Sequence, residues 1–73
     1  MTQRERIMEH LEKYGSITQR DAYEQYGIMR LAPRIAELKA AGMKITTSME
    51  KSMNRYGEEI TYGRYTYDHR TAD

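Results

Sequence analysis

The sequence predicts an α+β fold in which three helices precede a C-terminal β-hairpin. Apolar residues recur with helical spacing as far as Gly42, whereas from Met43 bulky or β-branched residues alternate with polar ones, as in paired strands. The chain has 73 residues, enough for one domain that buries only about 60% of the surface exposed by its unfolded chain. We assign this domain to residues 1–68 and expect residues 69–73, which carry no pattern, to be a frayed tail.

The first helix is expected to begin at Thr2, because Thr2 and Glu5 have the spacing of a capping box. Gly15 then ends the helix in a left-handed conformation. Apolar residues with helical spacing form one buried face between these two ends. This face consists of Ile7, Met8, Leu11 and Tyr14.

A connector or brief strand follows at residues 16–18, and we expect its Ile17 to enter the core. The same capping pattern recurs at Thr18 and Asp21, so a second helix begins there and ends at Gly27. Small and aromatic residues are expected on its inward side. They are Ala22, Tyr23 and Tyr26.

The third helix begins at Arg30 or Leu31 and runs to Ala41, and Gly42 stops it. Pro33 has to lie in the first turn, because a proline in the helix interior costs ~3 kcal/mol. Helical spacing divides the remaining residues between two sides. The buried side consists of Leu31, Ile35 and Leu38, and the solvent side of Arg30, Arg34 and Glu37.

The second and third helices, separated by a glycine turn, have the outline of a helix-turn-helix. In that motif the second helix lies in the major groove of DNA, where arginine side chains meet guanine edges or phosphates. An ordinary core helix with a solvated face is the alternative.

The hairpin is predicted from two alternating segments, Met43–Met49 and Glu59–Tyr67. Between them, Asn54–Gly57 contains two turn-forming residues, so we expect a hairpin with a long tip. Three helices followed by a β-hairpin is the order of elements in a winged helix.

Several local sequences together resemble the short helix-turn-helix proteins that are common in bacteriophage and prophage genomes. The resemblance covers nearly the whole chain and implies a winged-helix DNA-binding domain, with the helix around Arg30 to Lys39 as recognition helix and the loop around Asn54 to Gly57 as wing. Pro33 departs from the family pattern, which more often has an ordinary helix former there. The residues that carry the resemblance are Tyr26-Gly27, Arg30-Leu31, Arg34-Ile35, Glu37-Leu38, Gly42, Ile45, Asn54-Arg55-Tyr56-Gly57 and Arg64-Tyr65.

Duplex DNA is therefore the expected partner. Arg34, at the front of the third helix, is expected to contact bases or phosphates. Arg30 either contacts DNA or braces a neighbouring helix, for example by pairing with Glu24, and Glu37 either accepts from a cytosine or pairs with a nearby Arg or Lys. The other candidates lie at or near the hairpin tip, which is otherwise a solvated loop. The full candidate set is Arg30, Pro33, Arg34, Glu37, Lys51, Asn54, Arg55 and Tyr56.

Charge leaves a second class of function open. Twelve basic and eleven acidic residues nearly cancel, so attraction to DNA has to come from local placement of charge. A protein-binding module, such as a phage inhibitor of a host enzyme or defence complex, or a protein that associates with itself, is the alternative. Strand tyrosines could also stack single-stranded bases, although alternating aromatic residues more often close a core. These are Tyr62, Tyr65 and Tyr67.

No catalytic pattern is present, so we expect no enzyme, no cofactor and no small-molecule substrate. His10 and His69 lack the spacing of metal ligands, and we expect each to be a surface or flanking residue. Cysteine is absent, which fits a reducing compartment. No apolar run reaches the ~20 residues of a membrane span, and the first residues are too polar for a signal peptide. A cytoplasmic protein is expected.

Overall fold

The computed structural model describes residues 2–68, and the expected frayed tail at 69–73, with His69, lies outside them. Three helices are followed by a hairpin, as predicted, and residues 16–18 form a short strand. The elements are α1 (Gln3–Tyr14), β1 (Ser16–Thr18), α2 (Gln19–Tyr26), α3 (Leu31–Ala40), β2 (Ile45–Met53) and β3 (Glu59–Tyr67).

Local sequence sets the ends of α1 and α2, and both predicted capping boxes are confirmed. The Thr2 hydroxyl accepts a hydrogen bond from the backbone N–H of Glu5, and the Glu5 carboxylate accepts one from the N–H of Thr2. Thr18 and Asp21 make the same reciprocal pair at α2. Both helices end at a left-handed glycine, with φ of 89° and 69°, a conformation in which glycine has no Cβ penalty.

Helix α3 begins at Leu31, and Pro33 is its third residue, inside the first turn as predicted. At this position its missing N–H removes no intrahelical hydrogen bond. The helix ends at Ala40, one residue before the predicted end.

The three strands form one antiparallel sheet in the order β1-β3-β2. Ile17 of β1 lies opposite Tyr65, and Ile45 at the start of β2 lies opposite Tyr67. Both pairs are at the base of the hairpin, so this end of the sheet is joined to the helices.

The core lies between the helices and the base of the hairpin, and Ile17 is buried in it as expected. The predicted burial of the α3 apolar side is also confirmed. Tyr26, Met43, Tyr65 and Tyr67 pack against the core from its margin. The buried apolar residues are Ile7, Leu11, Ile17, Ala22, Ile28, Leu31, Ile35, Leu38 and Ile45.

Four helix positions differ from the prediction. Tyr23 and Tyr14 are exposed although both were assigned to inward faces, and Met8 is also mostly at the surface. Conversely, His10 was expected at the surface but is only 4% exposed. The buried stripes of these short helices are narrower than the apolar spacing suggests, and in α2 only Ala22 is fully buried. A histidine can be buried when its ring nitrogen has a partner, and His10 Nδ1 lies 2.7 Å from the Tyr26 hydroxyl.

The hairpin strands also differ from the prediction. β2 starts two residues later than the predicted Met43–Met49 and continues to Met53, so the tip is shorter than expected. The added residues have modest strand preference in isolation, but they pair with residues 59–62 of β3. Cross-strand pairing, rather than individual propensity, therefore sets the length of the strand.

Candidate nucleic-acid interface

The turn between α2 and α3 is held by one side chain, Gln19. Its Nε2 donates to the backbone carbonyl of Ile28 at 2.8 Å, and its Oε1 accepts from the N–H of Leu31 at 2.7 Å. Both partners sit at the approach to α3, so Gln19 orients this helix relative to α2. No short-range sequence pattern identifies Gln19, because its partners are nine and twelve residues away.

The N-terminus of α3 differs chemically from those of α1 and α2. The first turns of α1 and α2 each contain a carboxylate in a capping box. α3 has no acidic residue in its first turn, and the side chain of its cap residue, Arg30, makes no capping hydrogen bond. The partial positive charge of a helix start is thus left without a neighbouring carboxylate here.

Arg30 itself is exposed, and within residues 2–68 it makes no ion pair. The suggested bracing contact with Glu24 is wrong, because Glu24 pairs with Arg20, four residues earlier on α2, at 3.1 Å. Spacing along a single helix brings those two side chains together more readily than a contact across a turn.

Asn54 organises the hairpin tip. Its side-chain oxygen accepts from the backbone N–H groups of Tyr56 and Glu58 at 2.9 and 3.0 Å, and its Nδ2 donates to the Glu58 carboxylate at 2.9 Å. Arg55 and Tyr56 are exposed at the end of the hairpin. Lys51 is exposed as well, but it lies within β2 opposite Thr61 rather than in the tip itself.

This geometry agrees with a comparison of the chain with protein-family models, in which residues 2–68 match the winged helix-turn-helix domain. The chain belongs to the winged helix-turn-helix domain family. No curated protein and no solved structure matches it. Domains of this family are typically DNA-binding modules without catalytic activity.

In this winged helix-turn-helix domain, α3 is the helix that follows the turn, and Arg34 and Glu37 lie on its side nearest α1. Arg34 Nη2 is 3.1 Å from a Glu37 oxygen, and Arg4 of α1 approaches the other oxygen at 3.9 Å. Glu37 therefore pairs with nearby arginines, the second of the two roles open to it from sequence. The Arg34 side chain is 36% exposed, but its Nε is buried and makes no hydrogen bond.

The side of α3 that faces away from the core carries mainly small residues. Because alanine methyl groups project so little, the backbone of the helix is open to close approach by a large surface. This feature was not predicted, although the spacing of the alanines is visible in the sequence. The exposed positions are Ala32, Ala36, Lys39 and Ala40.

Two of the strand tyrosines have structural positions in the domain. Tyr65 and Tyr67 pack against the core, the commoner of the two roles considered for them. Tyr62 is half-buried and points to the opposite face of the sheet, beside Glu50, its cross-strand neighbour. An extended stacking platform of three tyrosines on one face is therefore not formed.

The part of the chain that the structure describes, residues 2–68, holds no cluster of three His, Asp or Glu side chains suited to a metal ion. None of the helices in that same range is long and apolar enough to cross a membrane.

Proposed function

We propose that this protein binds duplex DNA through the N-terminal half of α3 and the hairpin tip. The observation that carries the proposal is the match of residues 2–68 to a winged helix-turn-helix domain, a fold that places one helix in the major groove. In the cytoplasm such a protein would act as a transcriptional regulator or as an excisionase-like architectural factor. The resemblance to small phage and prophage proteins is the basis for naming these two roles.

The start of α3 supports the proposal through its charge. Arg30 is exposed and unpaired within residues 2–68, and no carboxylate occupies the first turn. A phosphate approaching this helix end would meet the helix dipole and a free guanidinium together. Pro33 fits a phosphate-binding helix start, because its compact ring adds little bulk to the first turn and fixes the backbone there.

We assign base reading to Arg34. Its guanidinium is held beside Glu37 at 3.1 Å, which limits its rotamers before DNA arrives. A planar guanidinium can bond two acceptors of one guanine, a contact that typically contributes ~1–3 kcal/mol of discrimination. Glu37 takes part by orienting Arg34 and by accepting from a cytosine amino group if the ion pair opens.

The wing is proposed to contact the sugar-phosphate backbone or the minor groove. Arg55 and Tyr56 are presented by a tip that Asn54 holds in one conformation through three hydrogen bonds. Lys51 would add a phosphate contact along the same hairpin. These contacts position the protein and carry no base information directly.

A mobility-shift titration across a salt series tests DNA binding. Each phosphate contact that the protein neutralises should add about 0.9 to the slope of log affinity against log salt. Arg55→Ala should weaken binding equally for all sequences and flatten the slope by about one unit. Lys13→Ala is the matched control, because it removes one positive charge away from the proposed interface. Lys13 lies in the last turn of α1, whereas Arg4, at the other end of that helix, is the residue that approaches Glu37 of α3. An Arg55→Ala variant that binds as the wild type does at low salt would remove the wing from the interface.

Competition between a selected site and scrambled DNA tests base reading. Arg34→Ala should fold normally by circular dichroism and should lose roughly ten- to hundredfold of its preference for the selected site, the fold-change of a lost bidentate contact. Compared with Arg34→Ala, Arg34→Lys should recover more of the general DNA affinity than of the preference for the selected site, because lysine keeps the charge but not the planar guanidinium. Full retention of the preference by Arg34→Ala would contradict the assignment.

A regulator and an architectural factor differ in how far they deform the duplex. Energy transfer between dyes at the two ends of a short bound duplex measures this directly: a large bend favours the architectural role, and a straight duplex favours the regulator.

The near-neutral balance of charge favours a second candidate, a protein-binding module that acts as an inhibitor. The formal net charge is +1, and the carboxylate of Glu37 partly neutralises Arg34 on α3. If the wild type shows no salt-dependent DNA binding, the protein-binding module replaces the DNA-binding protein as the proposed function.

A further inference from the structure

β2 is an edge strand. The sheet order is β1-β3-β2, so one side of β2 pairs with β3, and within residues 2–68 no strand lies on its other side. All residues of β2 after Ile45 are exposed or only partly buried. An edge of nine residues is long for a strand left open, since its unpaired N–H and C=O groups can pair with another chain.

The hydrogen bonds at the two ends of β2 show which of its backbone groups face this open edge. The N–H of Asp68 donates to the carbonyl of Lys44, and the N–H of Asn54 donates to the carbonyl of Glu58. In an antiparallel pair, alternate residues bond to the partner strand, so the even-numbered residues of β2 bond to β3. The odd-numbered residues therefore direct their N–H and C=O groups outward. They are Ile45, Thr47, Met49, Lys51 and Met53.

The same odd-numbered residues place their side chains on the face of the sheet that carries Ile45 into the core. Beyond the core this face continues with two methionines that are largely in water: Met49 is 66% exposed and Met53 is 65% exposed. The open edge thus combines unpaired backbone groups with apolar side chains. A second strand would supply hydrogen bonds to the backbone groups and remove part of the methionine side chains from water.

We propose that β2 pairs with β2 of a second copy of this protein, antiparallel, about a two-fold axis at Met49. Met49 is the central residue of the strand, so this register pairs its whole length. Met49 then meets Met49 of the second copy, and Ile45 meets Met53. Because the odd-numbered residues all fall at hydrogen-bonded positions, the two strands exchange about ten backbone hydrogen bonds. The result is a continuous sheet of two hairpins.

Charge selects this register among the neighbouring ones that keep the same two-fold symmetry. A centre at Glu50 sets two carboxylates directly opposite each other, and a centre at Lys51 sets two ammonium groups opposite each other, both unfavourable. A centre at Ser48 avoids like charges but leaves Met53 and its outward N–H unpaired. With the centre at Met49, Lys51 faces Thr47 of the second copy, and Glu50 faces Ser48.

A second copy fits this edge better than an unrelated chain, because the complementarity is internal to the strand. Each outward donor of β2 finds its acceptor in the same nine residues read in the opposite direction. The pairing forms along the outer edge of β2, which includes Lys51. It does not depend on whether the protein binds DNA.

Two substitutions at Thr47 test the register. Self-association is measured by sedimentation velocity without DNA, at protein concentrations from micromolar to millimolar. Thr47→Glu would set a carboxylate opposite Lys51 of the second copy, twice in the dimer, and should tighten self-association roughly two- to tenfold. Thr47→Lys would set two like charges opposite each other at the same positions and should weaken it by a similar factor. Ala36→Glu and Ala36→Lys make the same charge changes on the exposed side of α3 and should not differ.

Met49→Lys tests the axis itself, because it places two ammonium groups directly opposite each other at the centre. This variant should sediment as a monomer over the whole range, whereas Met29→Lys, an exposed methionine in the turn before α3, should associate as the wild type does. Thermal melts of the dilute variants check that each one folds. A wild type that stays monomeric at millimolar concentration would overturn the proposal, as would equal behaviour of the two Thr47 variants.

Discussion

The helical half of the protein and its hairpin are stabilised in different ways. Within residues 2–68, every buried apolar residue lies between Ile7 and Ile45, so the hairpin contributes only its first strand residue to this set. Beyond Ser48, where the pairing of β3 with β1 ends, β2 and β3 are a two-stranded ribbon with water on much of both faces. The difference separates two tasks: the helices provide the folding free energy, and the hairpin extends polar groups away from the core.

In the hairpin, polar contacts between the strands take the place of a buried core. Arg64 of β3 donates from Nε to Glu50 at 2.9 Å and from Nη1 to the Ser16 hydroxyl at 3.0 Å, so it joins β2, β3 and β1. Its hydrogen bond holds the pKa of the Glu50 carboxyl below the usual value. Both side chains are about one third exposed, where an ion pair contributes little. The ribbon should therefore open more easily than the helices.

The largest expected effect is a truncation in the helical core. Leu38→Ala removes a side chain that is 3% exposed and should lower the free energy of unfolding by ~2–5 kcal/mol, from lost apolar burial and the cavity left behind. Met53→Ala on the exposed ribbon should change it by less than about 0.5 kcal/mol. Urea titrations of dilute protein, followed by circular dichroism, measure the free energy of unfolding of both variants. Equal losses in the two would mean that the helical half and the hairpin contribute alike to stability.

The next effect concerns the turn before α3. Gln19→Ala leaves the N–H of Leu31 and the carbonyl of Ile28 without their side-chain partner, which should cost about 1–3 kcal/mol. Gln25→Ala, an exposed glutamine on the same helix, should be nearly neutral. If Gln19 orients α3 as described, its loss should also reduce DNA affinity at a temperature where the variant is still folded.

In the helical half, His10 should make stability depend on pH near neutrality. Burial lowers the pKa of His10 below its ordinary value of 6.5, although Asp21 and the Ser16 backbone partly oppose the shift. The unfolded chain therefore takes up the proton more readily than the folded one, and the stability that His10 contributes above pH 6.5 is lost as the pH falls through the lowered pKa.

Melting temperatures measured from pH 8 to pH 5 should decline for the wild type. The decline should be shallower for His10→Gln, which cannot titrate. A parallel decline in both proteins would assign the pH dependence to other groups.

The smallest effect is expected at the tip. Asn54→Ala removes three hydrogen bonds among exposed groups and should lower global stability by only about 1 kcal/mol. Its main effect should be local, with faster amide exchange at Tyr56 and Glu58. Arg55→Ala at the same tip should leave these exchange rates unchanged, and a large global loss in Asn54→Ala would mean that the hairpin is more strongly coupled to the core.

Much of the fold was predictable from sequence because its signals are local. The capping boxes at Thr2 and Thr18 involve partners three residues apart, and the first-turn position of Pro33 follows from its own geometry. The order of three helices and a hairpin follows from the change of period after Gly42. The candidate DNA contacts were chosen from the same local signals, and their roles on DNA remain predictions.

The sequence by itself thus determined which segments are helix or strand, where two of the helices start, and which side of α3 is apolar. Tertiary structure decided what each exposed or buried polar group meets. His10 is buried because Tyr26 supplies a partner from another helix, and β2 reaches Met53 because β3 pairs with it. Gln19 bridges to the start of α3 across twelve residues, and Glu37 lies between arginines of two helices. Such contacts depend on where distant segments lie relative to each other, and no short-range pattern in the chain encodes that.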